Sequence, residues 1–254
     1  MKIESYGISN VGMKRNQNED SYLINDEICL YMVADGMGGH LGGEYASKLA
    51  VGTVEEIVHA LRFDPDATQI LGVNTEGSSP GHQLRHAIQE ASRRIHDQAL
   101  YDVNLRGMGT TAVAALFISP HLYIANVGDS RAYRLREGKI EQITEDHSLV
   151  SEQVKAGMIS AADARGHKLK NIITRSVGYQ EEVDIDLLDE AVRHGDKYLL
   201  CSDGLSNLVD DQEIERILQK YDLREACEKL INSANSRGGD DNITVILLQV
   251  DDIA

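Results

Sequence analysis

The sequence predicts an α+β fold in which a central antiparallel β-sandwich is flanked on both faces by helix pairs, in α-β-β-α layers. Three observations predict it. Short β-branched or apolar runs cluster along the chain and are joined by turn residues, the pattern of strands paired as hairpins. Long stretches with apolar residues at helical spacing stand between the strand clusters, so helices cover the outer faces of stacked sheets. With 254 residues, 42% hydrophobic and 26% charged, the chain suits one globular domain, 1–254, without internal repeat or low-complexity tract.

The elements follow in order. Tyr22–Ile24 and Ile28–Ala34 read as the first strands. Glu44–Leu61 carries one apolar stripe through Tyr45, Leu49, Val54, Ile57, Val58 and Leu61, which predicts a helix. Asp64–Gly81 holds two prolines and the run TEGSSPG and reads as a surface loop. A second helix spans Gln83–Leu100 through Leu84, Ala87, Ile88, Ala91, Ile95 and Ala99. Thr110–Ile118, Leu122–Val127, Ala132–Leu135 and Lys139–Ile143 form an antiparallel meander, turned by Ser119-Pro120-His121 and by Glu137-Gly138. Ser148–Thr174, with Gly157, Gly166 and His167, is less regular and reads as a flap-like lid of about 148–175. Strands Tyr198–Cys201 and Ile243–Val250 complete the set, separated by amphipathic helices over Asp211–Gln219 and Leu223–Ala234.

Composition excludes several function classes. A net charge of −16 disfavours a nucleic-acid or anionic-membrane binder, since phosphate surfaces attract excess Lys and Arg. Cys29, Cys201 and Cys227 are few, odd in number and set in apolar or helical contexts. They read as reduced, buried thiols, unlike a disulfide framework or zinc ligands. The N-terminal segment has no signal-peptide core, and the longest apolar run, Ala112–Ile118, is too short to cross a bilayer. A cytoplasmic location and a monomer are the expectations.

Four aspartates sit where strand-like runs begin or end, each beside glycine, serine or asparagine: Asp35, Asp129, Asp203 and Asp241. Strand ends fix the backbone while side chains project into a cleft. Hard cations such as Mg²⁺ or Mn²⁺ need oxygen ligands, so the set points to a carboxylate metal centre and metal-assisted hydrolysis. An Asp-Gly pair after a strand is by itself usually a turn, and Asp35 with its glycines also fits helix capping. Capping would not require the other three aspartates. In DGMGGH the glycines let the backbone approach an ion, and the Gly36 carbonyl is a candidate ligand. Arg15, just ahead of Glu19 and Asp20, offers a planar fork matched to phosphate oxygens, against the plainer reading of a solvated charged loop.

Rival chemistries fail on spacing. A cysteine phosphate loop needs Arg six positions after Cys, where Asp35, Asn207 and Ser233 stand. Asp184–Leu188 lacks the strong apolar strand and the partner residues of aspartyl-phosphate enzymes, and His96-Asp97 lies mid-helix. Neither a Gly-x-Ser-x-Gly elbow nor a Walker loop is present.

Eight ordered motifs give the chain its resemblance: RNQNED (15–20), VADGMGGHLGGE (33–44), GMGTTAVAAL (107–116), NVGDSRAYRL (126–135), TEDHSLV (144–150), NIITRSVG (171–178), LLCSDGLSNLV (199–209) and GGDDNITVILL (238–248). They resemble the metal-dependent protein phosphatases, the type 2C serine/threonine phosphatases, in their compact bacterial form. The resemblance implies a two-metal Mn²⁺ or Mg²⁺ centre at one end of the sandwich. Asp35 would bridge both ions, the Gly36 carbonyl would bind one, Asp203 and Asp241 would hold the other, and Asp129 with Asp203 would form a third position. Glu19, Asp20 and Asn242 would support the site, and Arg15 would bind the substrate phosphate. A metal-bridging hydroxide would then attack phosphorus in line, without a phosphoenzyme.

The leaving alkoxide needs a proton. Met37 stands where the eukaryotic pattern has histidine, which leaves His40 as the candidate donor. His147 reads as a structural turn residue. The implied partners are phosphorylated proteins and a serine/threonine kinase whose products are reversed, with no nucleic acid and no membrane. Three alternatives remain: a phosphatase of small phosphate esters, a catalytically silent phosphoprotein-binding scaffold, and a structural Ca²⁺-binding domain.

Overall fold

Alternation along the strands sorts the apolar side chains into three layers, and this sorting defines the architecture of the computed structural model. Residues 1–38, 41–64, 79–160, 163–164 and 166–252 are described. Strands are numbered in chain order. One sheet runs β1 (Lys2–Asn10), β11 (Ile243–Asp252), β10 (Lys197–Cys201), β7 (Arg131–Arg136) and β8 (Lys139–Gln142). The other runs β2 (Asp20–Asn25), β3 (Leu30–Met37), β5 (Ala112–Ile118), β6 (His121–Val127) and β9 (Asp186–Ala191), with the short β4 (Gly109–Thr110) on the end of β3. Every ladder is antiparallel.

Along β3, Tyr31 and Val33 face the other sheet, while Leu30, Met32 and Ala34 face helices α1 (Gly42–Phe63) and α2 (Pro80–Tyr101). Along β11, Ile246, Leu248 and Val250 face inward, and Ile243, Val245 and Leu247 pack under α5 (Asp211–Lys220) and α6 (Leu223–Ser236). Both faces of both sheets are therefore buried, which explains why these strands read as near-continuous apolar runs. The predicted α-β-β-α layering is the one observed. Two short helices, α3 (Leu149–Lys155) and α4 (Asp203–Ser206), lie between strands.

Aromatic rings lock the two sheets together. Phe117 on β5 meets Tyr31 on β3 edge-on, with centroids 5.9 Å apart and planes at 81°. It meets Tyr198 of the opposite sheet at 5.7 Å and 74°. These T-shaped contacts add to the area all three rings bury. Each phenol end finds a carboxylate: Tyr31 Oη donates to Asp26 at 2.9 Å and Tyr198 Oη to Glu190 at 2.8 Å.

Some elements differ from expectation. β1 precedes Arg15, although KIESYGISN has too few apolar residues to announce a strand; its nine residues gain their register from β11. β9, the acidic DLLDEA, is held by Arg134 of β7, whose Nη1 lies 2.5 Å from Glu190 Oε2. Pro80 and Gly81 open α2, so the predicted loop ends earlier, and its residues 65–78 lie outside the described residues. Tyr45 is 41% exposed, because the buried stripe of α1 begins with the small residues Gly43, Ala46 and Ala50. The 148–175 segment opens with α3, capped by the Ser148 hydroxyl, which accepts from the Ser151 N–H. The three thiols are free; Cys201 and Cys227 are buried as expected, whereas Cys29 is only half-buried. Among the described residues no helix is long and apolar enough to cross a membrane.

Phe117→Ala, by opening a cavity between the sheets, is expected to cost about 3–5 kcal/mol. Urea unfolding measures this, and a loss below about 1 kcal/mol would show that the ring does not hold the sandwich.

Candidate metal centre

Register brings the predicted aspartates to one end of the sandwich. Asp20 at the start of β2 pairs with Asp35 on β3. The last residue of β10, Cys201, pairs with Val245 on one side and with Arg131 on the other. Asp203 just after β10, Asp241 just before β11 and Asp129 just before β7 therefore leave the second sheet at the same edge. Asp20 joins the two sheets: its Oδ2 accepts from Ser202 Oγ at 2.8 Å and from Thr244 Oγ1 at 2.6 Å.

Glycine beside these aspartates serves close packing. A Cβ on Gly36 would lie 2.1 Å from the Gly43 carbonyl oxygen, and one on Gly204 would lie 1.9 Å from that of Asn242. In each Asp-Gly pair the carboxylate is aimed by backbone that abuts another element, and only glycine allows the approach. That is a packing reason beyond the turn and ion-approach reasons the sequence offered.

Neighbouring side chains fix each position. Asp35 N–H donates to Thr111 Oγ1 at 2.9 Å. Asn207 Nδ2 donates to Asp203 Oδ2 at 2.9 Å. Asn242 is used fully: its Oδ1 accepts from Glu19 N–H at 2.8 Å, and its Nδ2 donates to the carbonyls of Val11 and Gln17 at 3.0 and 2.9 Å. It thereby ties the 11–19 segment to β11. Arg15, on that segment, places Nη2 2.7 Å from Asp241 Oδ2 while its side chain stays 51% exposed. His147 is buried; its Nδ1 accepts from Gly128 N–H at 3.1 Å, so Nε2 carries the proton and donates to Asp186 Oδ2 at 3.1 Å. That arrangement makes it a structural residue of the Asp129 turn. His40, the candidate proton donor, lies outside the described residues.

Crowding of like charge dominates the electrostatics. Burial pushes Asp20 up to about 7 against the hydrogen bonds from Thr244 and Ser202, with Asp203 and Asp241 adding to the rise. Burial, then the charges of Asp203 and Asp146, pushes Asp129 up to about 8. Asp35 is raised well above the carboxylate range by burial and by Asp20, Asp203, Asp129 and Asp241. Asp203 is raised by burial and by Asp241. Oδ1 of Asp20 and Oδ1 of Asp203 are buried without a hydrogen-bond partner among the described residues.

Orphaned carboxylate oxygens in an all-oxygen cluster fit a hard divalent cation, which would offset both the repulsion and the missing bonds. Among the described residues no group of three or more His, Cys, Asp or Glu side chains is drawn onto one coordination point. The carboxylates gather at this end of the sandwich, with Asp241 held by Arg15 and Asp203 by Asn207.

The protein phosphatase 2C family model matches residues 14–247, a span that includes Arg15 and all of these aspartates. The chain belongs to the protein phosphatase 2C family. It is 41% identical over 244 residues to the serine/threonine phosphatase stp of Listeria monocytogenes, covering 94% of this chain and 93% of that one. The crystal structure of the Mycobacterium tuberculosis serine/threonine phosphatase PstP/Ppp superposes with a TM-score of 0.86 at 34% identity, over 98% of this chain and 99% of that one. A PstP catalytic domain determined in complex with two manganese ions gives 0.85 at 34% identity, over 98% and 99%. The phosphatase 2C fold is thus matched along essentially the whole chain.

Sequence reasoning missed the polar residues that seat the acids: Ser202 and Thr244 on Asp20, Thr111 on Asp35, and Asn207 on Asp203. Only their adjacency to the aspartate motifs hinted at them.

For this phosphatase 2C centre, a raised carboxyl pKa means that the unfolded chain releases its proton first. For Asp20 the destabilisation is absent below 3.8 and complete above about 7. In chelator, the melting temperature of Asp20→Asn relative to wild type is therefore expected to rise between these values and then level off. A flat difference across that range would show that Asp20 is not charge-strained.

Proposed function

We propose that the chain is a metal-dependent phosphoprotein phosphatase hydrolysing phosphoserine and phosphothreonine. The observation that carries this reading is the convergence of Asp20, Asp35, Asp129, Asp203 and Asp241 at one sandwich end beside a half-exposed Arg15. Asp35, the Gly36 carbonyl, Asp203 and Asp241 would hold two core ions, and Asp129 with Asp203 a third. Mn²⁺ or Mg²⁺ there supplies Lewis acidity toward the phosphoryl group and makes water nucleophilic near neutral pH. Glu19 and Asp20 orient water, and Asn242 keeps their segment in register with β11.

Arg15 keeps donors available beyond its contact with Asp241, so it grips phosphate oxygens and offsets the charge that develops on them. The 148–175 segment, described except at 161, 162 and 165, lines a cavity with Asp129 through Ser148, Ser151, Val154 and Lys170 and would shape substrate choice. His40 is the proposed proton donor to the leaving alkoxide. We place the enzyme in the cytoplasm as a monomer opposing a serine/threonine kinase, without nucleic-acid or membrane partners.

Phosphate release from a phosphothreonine peptide is expected with Mn²⁺ or Mg²⁺, and neither in chelator nor with Asp203→Asn. Release from small phosphate esters alone would move the assignment to a phosphometabolite enzyme, and no release from either would favour a binding scaffold. Arg15→Ala is expected to lower kcat/KM about 10- to 100-fold, the worth of charge-assisted hydrogen bonds to phosphate. An unchanged kcat/KM would remove Arg15 from the phosphate site.

A further inference from the structure

Asp35 lies near the end of β3 and Asp129 on the turn between β6 and β7, and their like charges repel, so groups that are not ligands can set their separation. Thr111, 2% exposed between β4 and β5, touches both β3 and this turn. Its Oγ1 accepts from the Asp35 N–H at 2.9 Å and bonds Ser130 Oγ at 2.7 Å. Its own N–H donates to the Asp35 carbonyl at 2.9 Å. Ser130 directly follows Asp129. A threonine hydroxyl has one proton and two lone pairs. The Asp35 N–H takes a lone pair, which leaves the proton or the other lone pair for Ser130, and both contacts are made at once.

The methyl half of Thr111 acts on the same turn. Gly128 has φ +102°, and a Cβ there would lie 2.6 Å from Thr111 Cγ2. The backbone before Asp129 therefore rests directly on this side chain. From the far side His147 holds Gly128 through its own N–H at 2.9 Å and through Nδ1 at 3.1 Å. The turn is thus clamped between a hydroxyl that also holds Asp35 and an imidazole that does not.

We propose that Thr111 is a positioning residue whose hydroxyl fixes the separation of Asp35 and Asp129 in the metal centre. This rests on the metal-dependent phosphatase reading above. Thr111→Val removes the hydroxyl at nearly constant shape, Thr111→Ser keeps the hydroxyl and drops the methyl, and Ser130→Ala removes only the far partner. The wild type, these three variants and the double variant Thr111→Val/Ser130→Ala, each spanning residues 1–254, are compared by Mn²⁺ titration calorimetry, by kcat and KM on a phosphothreonine peptide, and by melting temperature in chelator.

Thr111→Val is expected to weaken Mn²⁺ binding and lower kcat about tenfold or more, with KM within about twofold of wild type. Thr111→Ser is expected to stay within about twofold on all three. Ser130→Ala should weaken Mn²⁺ binding in the same direction, and the double variant Thr111→Val/Ser130→Ala should be no worse than Thr111→Val alone. Wild-type Mn²⁺ affinity in Thr111→Val with a lowered melting temperature would make the residue merely structural and overturn the proposal. So would failure of serine to rescue. If Thr111→Val does not fold, wild-type Mn²⁺ affinity in Ser130→Ala overturns it instead. A wild-type protein that binds Mn²⁺ and hydrolyses the peptide while the variants match it refutes this inference alone, whereas a wild type that does neither refutes the phosphatase reading beneath it.

Discussion

Repulsion among buried carboxylates is the constraint around which this molecule is arranged. Asp20, Asp35, Asp129 and Asp203 all have raised pKa values, with burial the largest cause in each and neighbouring acids adding to it. Such a cluster persists only where surrounding structure over-determines it. Here that structure is the sandwich: the acids come from both sheets, and separating them would mean separating β2 and β3 from β10 and β11. The Asp20 bonds to Ser202 and Thr244 cross between the sheets and show the coupling directly.

The sandwich is electrostatically polarised along its strands. At the end opposite the acids, Arg136 on β7 binds both oxygens of Asp196, at 2.8 and 2.6 Å, and Arg134 spans Glu190 and Glu141. Acidic side chains there are matched, and their network joins β9 of one sheet to β7 and β10 of the other. At the end where the acids gather, two carboxylate oxygens have no hydrogen-bond partner among the described residues. The matched end holds the fold closed; the unmatched end leaves carboxylate oxygens of the kind a hard cation takes as ligands. The same bonding logic that would be a flaw elsewhere is function here.

Legibility in the sequence tracked how local each signal is. Asp35, Asp129, Asp203 and Asp241 stood out because strand ends, glycine and apolar runs are neighbours in the chain. Helices α2, α5 and α6 were found nearly whole, since their stripes repeat within a few residues. β1 and β9 were not found: one is short of apolar residues and the other is acidic, and both are edge strands stabilised by partners more than fifty residues away. Tyr45 looked inward by periodicity, but the small residues that let α1 approach β3 carry no hydrophobic signal. Ser202, Thr244 and Thr111 were invisible for a related reason, because a hydroxyl becomes specific only when its partner is placed.

By itself the sequence determined the layer order, the helical and strand periods, the oxygen-rich character of the acidic cluster and the presence of an arginine suited to phosphate, because each depends on residue type and spacing along the chain. Tertiary structure alone decided which end of the sandwich collects the acids, that Arg15 rests on Asp241, and which buried hydroxyls hold each carboxylate. Those outcomes depend on distances between segments far apart in sequence, set by strand register and by the close backbone contacts that Gly36 and Gly204 permit.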